Sequence, residues 1–192
     1  TMLFERFEVE GLAHYSYAVG CPKSGAVAIV DPERNIDRYL EFADANGVRI
    51  THVLETHIHA DFASGARALA DKAGARLMIS AYDKGETFEA SFAHEDLHDG
   101  DEVEIGPVRI VAVHTPGHTP EHMSYLVYDQ LRSTATPQLM LSGDFLFVGS
   151  LGRPDLLGEE QKRGLAKQLY RSVTDKLAAL PDGLEIHPAH GA

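Results

Sequence analysis

Cysteine is nearly absent from this chain, which contains one among 192 residues. An intrachain disulfide is therefore impossible, and an iron–sulfur cluster, which needs several thiolate ligands, is excluded. The scarcity of cysteine is also typical of proteins from reducing compartments, so we predict a cytoplasmic location.

Positive charge and long hydrophobic runs are also lacking. Lysine and arginine number 17 against 29 acidic residues, which gives a net charge of -12. We expect no nucleic-acid partner, because phosphate binding requires a basic surface. We expect no membrane partner either, since no run approaches the roughly 20 apolar residues of a membrane span. The N-terminal stretch TMLFERFEVE lacks the basic and apolar pattern of a signal peptide.

The length and the 44% hydrophobic content predict a single domain over residues 1–192. Short apolar segments predict strands at HYSYAVG, AVAIVDP, THVLET, ARLMIS, MSYLVYD, PQLMLSG and LEIHP. The stretch DEVEIGPVRIVAVH predicts a hairpin that turns at Gly106.

Three helices are predicted between these strands. NIDRYLEFADANG has Asn35 as its expected N-cap and Gly47 as its stop, and FASGARALADKAG ends at Gly74. The third runs from Glu159 to Leu180, where leucine and valine recur every four residues. Helices that follow two successive groups of strands indicate a layered α/β fold.

Histidine is frequent, with 11 residues, and several lie where a predicted strand ends. Polar side chains follow four such strands: His57, His59 and Asp61; His118; Asp144; and His190. Loops at strand ends can converge on one site. Imidazole and carboxylate ligands without thiolates suit zinc or iron(II). The isolated histidines are predicted not to be ligands: His52, His94 and His187.

The segments THIHAD, HTPGHTPEH and SGD, in this order, resemble the metallo-β-lactamase superfamily over nearly the whole chain. The resemblance implies an αββα four-layer sandwich with the metal at one edge of the two sheets. It also implies that Asp31 is a structural aspartate near the site, although a turn or helix-capping role is an open alternative.

A narrower resemblance is to the persulfide dioxygenases, also called sulfur dioxygenases, and rests on SGDFLFVGSLGRPDL. The segments ETHIHADFASGARALA and HTPGHTPEHMSY resemble the branch that is fused to rhodanese domains. We therefore expect a longer parent protein in which a rhodanese domain follows HPAHGA, or a separate rhodanese partner. The resemblance further implies a homo-oligomer.

In the hydrolases of the superfamily a second zinc ion uses a histidine at the position of Phe62. Phenylalanine cannot bind a metal, so we expect one metal per chain. The resemblance assigns it to His57, His118 and Asp144, a facial triad typical of non-haem iron(II) oxygenases. The neighbouring side chains are expected to be weak ligands or to orient the ligands: His59, Asp61, His190 and His122. The missing histidine does not distinguish iron from zinc.

The implied reaction oxidises glutathione persulfide, or a similar small persulfide, with O2 to sulfite and the free thiol. Arg153 is our candidate anchor for a substrate carboxylate, and its alternative is a structural ion pair with Asp155. Phe62, together with Phe145 and Phe147, could line the substrate site or belong to the core.

Two other functions remain open. A zinc thioester hydrolase like glyoxalase II also acts on glutathione conjugates, but it usually needs two metals, against which Phe62 counts. A non-catalytic metal-binding module is the alternative from another class, and metal binding without turnover would favour it.

Overall fold

Two stacked β-sheets form the centre of the molecule in the computed structural model, which describes residues 1–59 and 63–191. The first sheet contains six strands whose spatial order follows the chain: β1 (Leu3–Val9), β2 (His14–Cys21), β3 (Ala26–Val30), β4 (Arg49–Leu54), β5 (Arg76–Ser80) and β6 (Glu95–Leu97). Its first two pairings are antiparallel and the remaining three are parallel. The parallel strands end at one edge of the sheet, where β4 leads into the loop that contains His57 and His59.

The second sheet has five strands in the order β13-β10-β9-β8-β7. They are β7 (Glu102–Ile105), β8 (Val108–His114), β9 (Met123–Asp129), β10 (Leu139–Gly143) and β13 (Glu185–Pro188). A small hairpin of β11 (Leu146–Phe147) and β12 (Ser150–Leu151) follows β10. The loops after β8, β10 and β13 carry the remaining polar residues that the sequence places at strand ends.

Helices cover the outer face of each sheet and complete four layers. α1 (Asp37–Asn46) and α2 (Ala66–Ala73) bury Tyr39 and Leu69 against the first sheet. α3 (Glu159–Arg171) buries Leu169 against the second sheet, beside Met140. The core between the sheets contains apolar side chains from both, such as Val19, Leu54, Ile110 and Leu141. This is the predicted αββα sandwich. Among the residues described, no helix is long and apolar enough to cross a membrane.

The predicted strands and the Gly106 hairpin are confirmed, but several boundaries differ. The strand at residues 3–9 was not predicted, because its exposed edge carries glutamates instead of a clear apolar alternation. The N-cap of α1 is Ile36, so the prediction of Asn35 is wrong by one residue; Gly47 ends the helix in the left-handed conformation as expected. α2 begins at Ala66, later than its apolar pattern indicates.

The last helix is also shorter than predicted. Its α-helical hydrogen bonding ends at Arg171, and residues 172–177 form a π-helical segment. Ser172 Oγ in that segment donates to the carbonyl oxygen of Pro116, at 2.8 Å. This hydrogen bond connects the π-helical segment to the loop that contains His118, at the edge of the sheets where the site lies.

Candidate metal centre

Three buried side chains converge where both sheets end: His57, His118 and Asp144. His57 follows β4, His118 lies in the loop between β8 and β9, and Asp144 follows β10. The Nε2 atoms of His57 and His118 lie 3.5 and 3.2 Å from Oδ2 of Asp144. One donor atom from each residue lies within 4.8 Å of the others, close enough for a single metal ion.

A hydrogen-bonded chain sets the orientation of His57. Both carboxylate oxygens of Asp31 accept bonds from Thr56, one from its backbone N–H at 2.8 Å and one from its hydroxyl at 2.7 Å. Because the hydroxyl proton is used in this way, the oxygen of Thr56 accepts from Nδ1–H of His57, at 2.9 Å. The neutral ring then presents the lone pair of Nε2 to the site.

His118 is oriented by the main chain. Its Nδ1 lies 3.1 Å from the carbonyl oxygen of Arg153, which can only accept, so Nδ1 carries the proton and Nε2 faces Asp144. The preceding Gly117 lies against α3, and a Cβ at that position would come within 2.6 Å of the Leu169 Cα. Glycine at position 117 therefore allows the close approach that seats the loop on α3.

Asp144 is held by two histidines. Its backbone N–H donates to Nε2 of His122 at 3.0 Å, so His122 is neutral and its Nδ1–H donates to Thr115 Oγ1 at 2.9 Å. Nδ1 of His190 donates to Oδ1 of Asp144 at 2.6 Å. Both ring nitrogens of His122 are thus engaged, and it acts as a positioning residue. Burial raises the pKa of Asp144, but hydrogen bonding, including the bond from His190, holds that pKa well below its usual range.

This arrangement suits a divalent cation. Nε2 of each imidazole and an ionised carboxylate oxygen face one point, and Nδ1–H of each imidazole donates on the far side of its ring. Burial lowers the pKa of His57, which disfavours balancing the carboxylate by protonation of that ring. A metal ion would supply the positive charge that these three acceptors share.

A second group of donor atoms, from Asp31, Glu55 and His59, also lies within 4.8 Å. Its members already bond to protein: Nε2–H of His59 donates to Asp31 at 3.1 Å, and Ser64 donates to Glu55. Burial raises the pKa of Asp31, yet the charge of His59 and its hydrogen bond bring that pKa down to about 2. Asp31 is therefore an ionised carboxylate that bonds to Thr56 and His59, the first of the two roles left open for it.

The pocket beside the metal centre has a volume of about 390 Å³. Arg153 and Phe147 line it, whereas Phe145 is fully buried in the core against α3. Asp61 and Phe62, which the sequence analysis places at the site, lie outside the described residues. His190 lines the pocket as well, through a loop that backbone hydrogen bonds tie to Ala13, Tyr15 and Gly143.

Sequence reasoning missed the residues that orient the ligands. Thr56 precedes His57 in ETHIHAD. The alternation of side chains along a strand does not indicate the two hydrogen bonds that Thr56 donates to Asp31. The hydrogen bond that the Arg153 carbonyl accepts from His118 could not be predicted from the sequence, since every residue has a carbonyl. Thr115 and Ser124, linked at 2.8 Å behind His122, were also missed.

We predict that Thr56→Val weakens metal affinity about 10- to 100-fold while the fold is retained. Valine has the same shape, but it leaves Nδ1–H of His57 without its acceptor and Oδ2 of Asp31 without its donor. Metal competition against a chromophoric chelator would measure the change, with the exposed Thr174→Val as the matched control. Unchanged affinity would mean that Thr56 does not orient His57.

The fold and the donor set define a metal-dependent αββα protein. Its family is shown by comparison: the profile of the metallo-beta-lactamase superfamily matches residues 9–190. The chain belongs to that superfamily.

The relatives fall into more than one functional class. The chain is 34% identical to a probable metallo-hydrolase of Burkholderia pseudomallei in an alignment that covers 88% of this chain and 60% of the relative. It is 29% identical to the mitochondrial persulfide dioxygenase of Mus musculus over 98% of this chain and 68% of the relative. It is 33% identical to the hydroxyacylglutathione hydrolase of Methylococcus capsulatus over 92% and 62%. The chain thus spans about 60 to 68% of the length of these relatives.

Solved structures agree in fold. A metallo-beta-lactamase from Staphylococcus aureus superposes with a TM-score of 0.93 at 38% identity, covering 100% of this chain and 57% of the other. ETHE1 from Myxococcus xanthus superposes with a TM-score of 0.84 at 31% identity, covering 100% and 76%. These similarities establish the superfamily and leave dioxygenase and hydrolase activities as competing assignments.

Proposed function

We propose that this chain is a persulfide dioxygenase with one non-haem iron(II), held by His57, His118 and Asp144. It would convert a low-molecular-weight persulfide, such as glutathione persulfide, to sulfite and the free thiol. In the balanced reaction RSSH, O2 and water give RSH and sulfite with release of two protons. Both atoms of O2 and the oxygen of water end on the outer sulfur, and the S–S bond breaks.

The observation that carries the proposal is the set of two histidines and one carboxylate. His190 donates to the carboxylate of Asp144 and His122 accepts from its backbone N–H, so one histidine orients the side chain and the other fixes the main chain. Three protein ligands on one side leave adjacent positions for small ligands, an arrangement typical of iron(II) oxygenases. The similarity to a persulfide dioxygenase over 98% of the chain supports the same activity.

The protein's own residues would bind and shield the substrate. Bound iron(II) would supply the redox chemistry that brings the persulfide and O2 together. Phe147 and Leu156 line the pocket next to the ligands and would keep bulk water from the sulfur being oxidised. Thr56 Oγ1 and the Arg153 carbonyl oxygen accept from Nδ1–H of His57 and His118, and these bonds would hold Nε2 of each ring toward a bound metal.

The test is oxygen uptake by anaerobically purified, iron(II)-loaded protein given glutathione persulfide or benzyl persulfide. We expect uptake with one sulfite formed per O2, and we expect both signals to fall at least about 100-fold in His118→Ala, because a ligand is lost. His98→Ala is the matched control, since His98 is exposed and lies in a polar turn. An iron-loaded protein that consumes no O2 with either persulfide would rule the proposal out.

A second candidate function is thioester hydrolysis, which the similarity to hydroxyacylglutathione hydrolases favours. The zinc-loaded chain should be assayed with S-lactoylglutathione beside the oxygen-uptake assay. Turnover of the thioester without O2 uptake would replace the dioxygenase assignment. Tight metal binding without either reaction would instead indicate a non-catalytic metal-binding module.

A further inference from the structure

The pocket next to the metal ligands has mostly apolar walls. Away from His57, His118 and Asp144, its lining in the described part of the chain consists of five apolar and three polar residues: Ile58, Phe88, Phe147, Leu156 and Leu157, with Thr119, Arg153 and His190. At about 390 Å³ the pocket can hold a small organic molecule. The molecule best suited to such walls carries an uncharged group next to its reacting atom.

The apolar surface continues outward from the pocket. Phe88 and Leu156 line the pocket yet are each 43% exposed, and Val148 and Leu151 are exposed on the hairpin that carries Phe147. Large apolar side chains left in water and clustered around a pocket mark a binding surface. A ligand that reaches the metal would cover part of Phe88 and Leu156.

Positive charge is scarce in the same place. Arg153 is the one arginine or lysine that lines the pocket among the residues described, and it is already paired. Its Nε and Nη2 atoms donate to the two carboxylate oxygens of Asp155, at 2.8 and 3.0 Å. The pair uses the guanidinium fork that would otherwise hold a substrate carboxylate. A glutathione carrier has two carboxylates, and among the described residues the pocket offers them one arginine, which is already paired with Asp155.

We infer that the preferred substrate is a persulfide whose carrier is uncharged and apolar next to the sulfur, and that Leu156 and the Arg153–Asp155 pair determine this selectivity. The inference rests on the proposed dioxygenase function and specifies its substrate class. Apolar walls would gain contact with such a carrier, while a carboxylated carrier would lose hydration without gaining a free cation.

The test compares kcat/KM for oxygen uptake with benzyl persulfide, 4-carboxybenzyl persulfide and glutathione persulfide. The first two differ by one carboxylate on the same frame, so their ratio isolates the effect of charge. We expect benzyl persulfide to exceed each of the others by about 10-fold, mainly through a lower KM.

Two variants separate the two determinants. Leu156→Ala should lower kcat/KM for benzyl persulfide by about 10-fold and kcat/KM for glutathione persulfide by about threefold at most, whereas Leu131→Ala, at an exposed leucine outside the pocket lining, should change neither. Asp155→Asn keeps the shape of the side chain but removes its charge. It should raise kcat/KM for both carboxylated persulfides by about 10-fold and leave benzyl persulfide unchanged.

The possible outcomes distinguish this inference from the function on which it rests. No oxygen uptake with any of the three persulfides would remove the proposed function itself. Oxygen uptake that is fastest with glutathione persulfide, with a preference that neither Asp155→Asn nor Leu156→Ala changes, would support the dioxygenase function. It would contradict the inferred selectivity for an apolar carrier. The expected ratios with both variant effects would establish the apolar carrier class.

Discussion

Asp144→Asn is expected to give a folded protein that has lost its metal. Asparagine keeps an oxygen that can accept from Nδ1–H of His190, so that contact survives. Its amide nitrogen replaces Oδ2 and carries two protons, which can be donated to the Nε2 lone pairs of His57 and His118. Internal hydrogen bonds would thus take the place of the metal, and the substitution should cost little stability.

Metal analysis after gel filtration would measure the effect, together with a thermal unfolding curve of the metal-free protein. We expect metal content to fall from about one per chain to below about one tenth, a larger loss than altering an orienting residue would cause. Asp182→Asn, on an exposed loop, is the matched control. Stoichiometric metal in Asp144→Asn would show that the centre lies elsewhere.

Phe145→Ala is expected to reduce the free energy of unfolding by about 3–5 kcal/mol. The ring is fully buried and packs with Leu126, Met140 and Leu169, where it joins the second sheet to α3. Alanine would leave a cavity that a sheet and a helix cannot easily close. Urea unfolding of the metal-free protein would measure the change without the contribution of a bound ligand.

Phe147→Ala is the matched control for this substitution. Phe147 is the same residue type two positions later, but it is half-buried and lines the pocket. We expect its removal to cost well under half as much as that of Phe145, because less apolar surface leaves water at this position. Equal losses in the two variants would contradict the assignment of Phe145 to the core and Phe147 to the pocket.

Much of the fold could be predicted because local patterns reflect local physics. The apolar runs around Val53 and Leu141 are buried on both faces, and such segments stand out from polar loops. Gly47 and Gly74 end their helices in the left-handed conformation, which a residue without a Cβ adopts at little cost. The strand at the N-terminus could not be predicted, since only its pairing with β2 makes it a strand.

The last helix could likewise be predicted only in part. Its spacing of leucines predicts a helix, and Leu165 and Leu169 are buried as expected. The π-helical segment begins at Ser172, whose hydroxyl donates to the carbonyl oxygen of Pro116, more than 50 residues earlier in the chain. Periodicity within one segment contains no information about such a partner.

By itself, the sequence determined the class of fold, the candidate ligands and the strand ends that carry them. Strand-end position indicated the candidates, because ligands on rigid strands converge through short loops, and the family resemblance selected His57, His118 and Asp144 among them. Only the tertiary structure decided which atoms face the metal. The proton of His118 is directed by a carbonyl 35 residues away, and Asp144 is held by His122 and by His190 across 22 and 46 residues. Tertiary structure also separated Phe145 from Phe147 and paired Arg153 with Asp155, since burial and ion pairing depend on what the rest of the chain places nearby.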